Sequence, residues 1–213
     1  MTEHVKPGDI EARSFEIIGE ELAKMGISLD PEREPVIKRA IHTSADFEYA
    51  KTLVFSDDAV RIARELIASG ADIVTDTNMA LTGINKKRLA YYGGSARCYM
   101  ADEDVASEAK ERGVTRASVS MEHAARDIRA SGRKTLFAIG NAPTALMTLR
   151  QMYDEGSFRA DFIIGVPVGF VNVVESKELI IETDMPHIVN RGRKGGSNVA
   201  AAIVNALIYG MDR

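Results

Sequence analysis

Cysteine occurs once in the 213 residues, as Cys98, which excludes an internal disulfide and any cysteine-rich metal site. Long apolar runs are missing: none approaches the roughly 18 residues that a membrane span needs. The opening segment, MTEHVKPGDIEARS, lacks the apolar stretch of a secretory signal, so a reducing, cytoplasmic setting is expected. Repeats, low-complexity tracts and Pro/Ser linkers are missing too. Residues 1–213 are therefore expected to form a single domain, within the range of about 250 residues that one core supports. Charge of one sign is also scarce. With 27 basic and 31 acidic residues the net charge is −4, so no global field recruits nucleic acid and an anionic ligand must be held by a local basic cluster. No G-x-G-x-x-G follows the first strand and no G-x-x-x-x-G-K-[ST] occurs, so nucleotide cofactors have no positive signal. His4, His42, His123 and His187 show no metal-ligand spacing, and no metal site is expected.

What is present is the mix of a globular protein, with 45% hydrophobic and 27% charged residues, enough to build a proper core. Residues 10–41 read as two helices. Phe15, Ile18, Leu22 and Met25 recur at helical spacing before Gly26, and Pro31 opens a second helix to about Ile41 with Asp30 as its cap. Beyond them, short apolar runs suit buried strands at 72–75, 97–100, 135–139, 161–166 and 187–190. Amphipathic helices alternate with them at 56–69, 79–89, 103–112, 117–130, 143–154, 171–179 and 197–209. This alternation predicts an α/β fold, a three-layer αβα sandwich with a mostly parallel sheet of about five strands plus the N-terminal helices. Residues 47–55 stay ambiguous, since Phe47, Tyr49, Leu53 and Phe55 alternate over too short a stretch.

Ligands of such sheets bind beyond the carboxyl ends of the strands. Four loops there stand out. Thr75-Asp76-Thr77-Asn78 is polar directly after an apolar strand. Gly140-Asn141-Ala142-Pro143-Thr144 opens a helix, and its N–H groups suit an anion, although its spacing favours a plain well-capped turn. Glycines bracket the apolar run Gly165-Val166-Pro167-Val168-Gly169-Phe170, which either walls a flat ligand or simply turns the chain. Arg191-Gly192-Arg193-Lys194-Gly195-Gly196-Ser197-Asn198 puts three cations and three glycines within eight residues at a helix start, a combination that favours an anion site.

Among the histidines, His123 beside Glu122 reads as a surface or edge residue, His187 as a packed one, and His4 as part of a frayed terminus. His42 differs. It ends a helix and precedes small polar residues, where the helix dipole favours an imidazolium that suits a proton donor. The plainer reading is a C-terminal cap.

At these loops the chain resembles the precorrin-8X and cobalt-precorrin-8 methylmutases. The resemblance is carried by Ile41-His42-Thr43-Ser44-Ala45-Asp46-Phe47-Glu48-Tyr49-Ala50, by Ile139 through Leu146, by Gly165 through Val171 with Glu175-Ser176-Lys177, and by Gly192 through Asn198. It extends from about residue 10, including Arg13-Ser14-Phe15, to the C-terminus. It implies a methyl shift within one molecule, a sigmatropic move between adjacent ring carbons that converts precorrin-8 or cobalt-precorrin-8 to hydrogenobyrinate or cobyrinate. No cofactor is then consumed, and cobalt, where present, arrives inside the tetrapyrrole substrate. His42 is implied as the acid that protonates the macrocycle. Ser14 and Arg116 match substrate positions, Asn141 and Thr144 become donors to rim carboxylates, and Arg193 and Lys194 their cationic partners. The resemblance also implies a homodimer and hand-over of product to the next pathway enzyme. The segments around His42 and Lys194 look more like the cobalt-containing branch, while Ala45 stands where many relatives are expected to carry glycine. Two rival readings remain: a tetrapyrrole carrier without catalysis, and an α/β transferase of a phosphorylated substrate.

Overall fold

All five expected strands are present in the computed structural model, which describes residues 6–212 and adds a sixth strand to them. In chain order the elements are α1 (Ile10–Lys24), α2 (Glu34–Ser44), α3 (Tyr49–Thr52), β1 (Leu53–Phe55), α4 (Ala59–Ala68), β2 (Asp72–Thr75), α5 (Asn78–Gly83), α6 (Lys86–Tyr91), β3 (Ala96–Cys98), α7 (Glu103–Arg112), α8 (Arg116–Ser131), β4 (Thr135–Ile139), α9 (Pro143–Asp154), β5 (Phe162–Gly165), α10 (Val173–Ile181), β6 (His187–Asn190) and α11 (Ser197–Tyr209). The sheet order is β1-β6-β5-β4-β2-β3, parallel throughout except that β1 runs antiparallel along β6.

The sixth strand lies in the ambiguous stretch. Three residues are too few for a period of two to show. Pairing with β6 makes the strand: Leu53 faces Asn190, Arg191 N–H donates to Thr52 O, and Ser56 N–H donates to His187 O. That last bond also holds Ser56 out of the helix expected from residue 56, which begins at Ala59 instead. The helix expected over 79–89 is two helices, α5 and α6. Asn85 caps the second by accepting from Arg88 N–H at 3.1 Å, and Asn205 of α11 bonds both Asn85 N–H and Gly83 O, which holds the break open.

Strand residues alternate between two cores, as buried parallel strands with helices on both faces must. Ile73, Leu136, Ala138, Phe162, Ile164 and Ile188 pack with α1, α2, α4 and α11, whereas Val74, Phe137, Ile139, Ile163 and Val189 pack with α7, α8, α9 and α10. The N-terminal helices reach the first core through α11, where Val199, Ile203, Leu207 and Ile208 are buried beside Val36, Ala40 and Ile41 of α2.

Asp30 does not cap a helix opening at Pro31. Its carboxylate accepts from Glu32 and Arg33 N–H in a turn, and α2 starts at Glu34 with Pro35 in its first turn. That helix runs past Ile41 to Ser44, and Ala45 closes it in the left-handed region at φ 55°, its N–H donating to Ile41 O at 2.7 Å. A Cβ is strained there. Ala45→Gly should raise stability by about 1 kcal/mol, a gain in Tm of roughly 2–4 °C for a chain of this length. A lower Tm would show that this turn stores no strain.

Candidate active site

The residues of α11 at 198, 201, 202, 205 and 209 lie on one face of the helix, and that face is unusually small and polar for so buried an element. Ala201 and Ala202 leave space that larger side chains would fill. A cavity of about 780 Å³ occupies it, lined by Asn198, Asn205 and Tyr209 of α11, Asn78, Met79 and Thr82 of α5, and Glu11, Arg39, His42 and Thr43 of the N-terminal helices. Because α5 and α11 begin where β2 and β6 end, the cavity opens from the carboxyl edge of the sheet, where ligands of such folds bind.

His42 is exposed in the last turn of α2 and lines this cavity, its ring 5.3 Å from that of Phe15. Arg39, one turn earlier, donates to Glu11 at 2.7 Å and lies over the rings of Phe15 and Tyr209. The Glu11 carboxyl is held below its ordinary value, first by this hydrogen bond and further by the charges of Arg39 and His42. An imidazole facing a space large enough for a broad ligand, beside a fixed cation–carboxylate pair, is equipped to hold and deliver a proton.

The other expected site residues lie elsewhere, and none of them lines that cavity. Ser14 donates to Ile10 O on α1 at 2.8 Å. Thr144, in the first turn of α9, shares a 2.8 Å hydroxyl contact with Thr115, the cap of α8, and so stands next to Arg116. Asn141 and Arg116 are exposed, and Arg193 lies 5.4 Å over the ring of Phe170. Neither Arg116 nor Arg193 is paired with a carboxylate among the described residues. Lys194 is, bridging Asp46 and Glu48 at 2.6 and 2.5 Å.

The N–H groups of the Gly140 loop do meet an anion, and it belongs to the chain. Asp76, fully buried after β2, accepts from Gly140, Asn141 and Ala142 N–H at 2.9, 2.8 and 2.6 Å. Burial pushes this carboxyl above its ordinary value and the three donors pull it back. Those backbone donors are thus occupied by a carboxylate of the chain itself, and α9 starts after Ala142 with no side-chain cap. The start of α11 presses on the same loop, where a Cβ at Gly140 would fall 2.6 Å from Ser197 Cα. In the basic loop Gly195 likewise approaches protein, since a Cβ there would fall 2.0 Å from Val166 O, while Gly192 has open space around it. The loop's carbonyls are gripped by Lys177, a fully buried amine that donates to Gly192 O and Lys194 O at 2.7 and 2.9 Å. By contrast, Val168, Phe170 and Val171 stand exposed.

His123 is a correction. It is 6% exposed, not a surface residue, because α7 packs over it and Glu108 bonds its Nε2 at 2.8 Å. His187 packs as expected, its Nδ1 2.8 Å from Met185 O, and His4 lies outside the described residues. Local sequence pattern does not single out Arg39 or Asn205, and it marks Asp76 only as part of a polar loop. Asp76 sits in a loop whose polarity was visible, but its partners are 64 to 66 positions away. Among the described residues no cluster of three or more His, Cys, Asp or Glu can hold a metal ion, and no helix is long and apolar enough to cross a membrane.

The family model for precorrin-8X methylmutase matches residues 9–210. A cobalt-precorrin-8 methylmutase of Salmonella typhimurium is 44% identical over 207 residues, covering 96% of this chain and 95% of that relative. One from Priestia megaterium is 43% identical over 203 residues, covering 95% and 88%. The crystal structure of the precorrin-8x methyl mutase from Thermus thermophilus superposes with a TM-score of 0.83 at 36% identity, over 94% of each chain.

Burial pulls the Lys177 amine down to about 8 from an ordinary 10.5. Between those values the unfolded chain keeps a proton that the folded protein has released, so the stability owed to this residue rises with pH across that window. Urea unfolding from pH 7.5 to 10 should show the wild type gaining on Lys177→Met as pH rises. A constant difference would mean that the buried amine keeps its charge.

Proposed function

We propose that this chain, which belongs to the precorrin-8X methylmutase family, isomerises a corrin precursor with His42 as the acid. Its activity is a methyl-shift isomerisation in cobalamin biosynthesis, and its substrate is a tetrapyrrole. The placement of His42 carries the proposal for the acid: an exposed imidazole on a cavity of about 780 Å³, lined along α11 by small residues.

Proton delivery to the macrocycle shifts it to the tautomer whose conjugation permits the methyl group to move to the adjacent ring carbon. Imidazole, with an ordinary pKa of about 6.5, donates near neutral pH. Arg39 and Glu11 form an ion pair beside it on the same cavity. Holding the substrate in one conformer removes entropy from the barrier. The substrate's rim carboxylates call for dispersed cations and donors, and we assign these parts to Arg116 and Arg193, with Ser14, Asn141 and Thr144 donating hydrogen bonds. Exposed Val168, Phe170 and Val171 offer apolar surface for the disc. The reaction takes place in the cytoplasm on a homodimer whose protomers each form one methylmutase domain, with product passed to the next enzyme. It consumes no cofactor, since any cobalt travels inside the substrate. We take that substrate to be the cobalt-containing one, in keeping with the names of two relatives above 40% identity.

The protein and its His42→Ala variant, each mixed with precorrin-8 and with cobalt-precorrin-8, should give different visible spectra. The wild type converts the cobalt pigment to the corrin chromophore, while the variant binds it and slows the change by about 100-fold or more. Binding with no spectral change in either protein would leave a tetrapyrrole carrier as the better account.

A further inference from the structure

Lys194 has the residue type and the loop expected of a contact to a substrate carboxylate, yet its ammonium is already engaged by two carboxylates of its own chain. Its Nζ lies 2.6 Å from Asp46 Oδ2 and 2.5 Å from Glu48 Oε2. An ammonium flanked by two anions repels a third. Both acids belong to the segment that leaves the helix end carrying His42, four and six residues after it.

The two ends of this bridge are unequally held. On the Lys194 side the backbone is immobilised. Lys194 O accepts from Lys177 Nζ at 2.9 Å and from Asn190 Nδ2 at 2.8 Å, Gly196 N–H donates to Val166 O at 2.9 Å, and a Cβ at Gly195 has no room. On the other side the chain turns through Ala45 at φ 55°, a conformation that alanine resists, and the bonds holding the turn are local: Ser44 Oγ accepts from Asp46 N–H and Asp46 Oδ1 from Glu48 N–H. The ion bridge ties this strained turn to the fixed loop, 148 residues away in sequence.

We propose that Lys194 is a positioning residue, which holds the end of α2, and with it His42, through Asp46 and Glu48. All three side chains are partly exposed, at 47%, 28% and 52%, and exposed ion pairs contribute little to overall stability. Lys194 therefore acts on where the imidazole points far more than on whether the protein folds. A rate that depends on near-attack geometry is sensitive to such displacement. This inference rests on His42 being the acid, and it removes Lys194 from the set of carboxylate contacts.

Single-turnover conversion of cobalt-precorrin-8, with protein in excess, separates the limiting rate from the protein concentration at half-saturation. Lys194→Met should lower the limiting rate by roughly tenfold to a hundredfold and leave half-saturation within about twofold. Lys194→Arg should restore most of the rate. The Asp46→Asn, Glu48→Gln double variant should match Lys194→Met, and combining all three changes should cost no more than either set. If Lys194 instead grips substrate, half-saturation rises in Lys194→Met and falls when the two acids are neutralised, and the proposal is overturned. It is equally overturned if every variant keeps the wild-type limiting rate, or if the loss follows a fall in Tm. His42→Ala run alongside keeps the two inferences apart: a full rate in that variant removes the acid, while the bridge variants still report on Lys194.

Discussion

Asp76 is a carboxylate with no exposed surface, answered by three consecutive backbone N–H groups from the far side of the strand exit next to its own. Burying such a group is costly unless every lone pair finds a donor, and removing either partner would leave the other stranded. The arrangement ties the end of β2 to the end of β4. Gly140 in turn lies against Gly196 and Ser197 so closely that no side chain fits, which brings in the exit of β6. Ser197 then meets Thr77, hydroxyl to hydroxyl at 2.8 Å, and returns to the loop where Asp76 began. The start points of α5, α9 and α11 are thus set by one ring of contacts at the mouth of the sheet.

The cavity follows from that ring. With α5 and α11 launched side by side, the small face of α11 has nothing to fill it, and α1 and α2 roof the space without closing it. Asn205 reinforces the spacing by bonding Gly83 O and Asn85 N–H across the gap.

Cations near the mouth divide by their partners. Lys177 and Lys194 are spent on the protein, one on backbone carbonyls and one on two carboxylates, and together they stiffen the loop before α11. Arg116 and Arg193 have no carboxylate partner among the described residues, and Arg193 lies over the ring of Phe170 instead. A basic cluster in a sequence is therefore no count of binding groups, because desolvation and proximity assign each cation separately.

The sequence by itself determined the layer architecture. Runs such as 135–139 and the helical faces of 143–154 and 197–209 carry their own period, and the strand and helices form at those bounds because local pattern and burial agree. It also determined that His42 would sit at a helix end, since that is a local property. Tertiary structure alone decided the rest. It made a strand of Leu53–Phe55 by pairing, divided 79–89 through Asn205, buried His123 under α7 and spent the Gly140 N–H groups on Asp76. Each of these is settled by a partner between 15 and about 140 positions away. Periodicity and spacing report only what neighbours along the chain can sense.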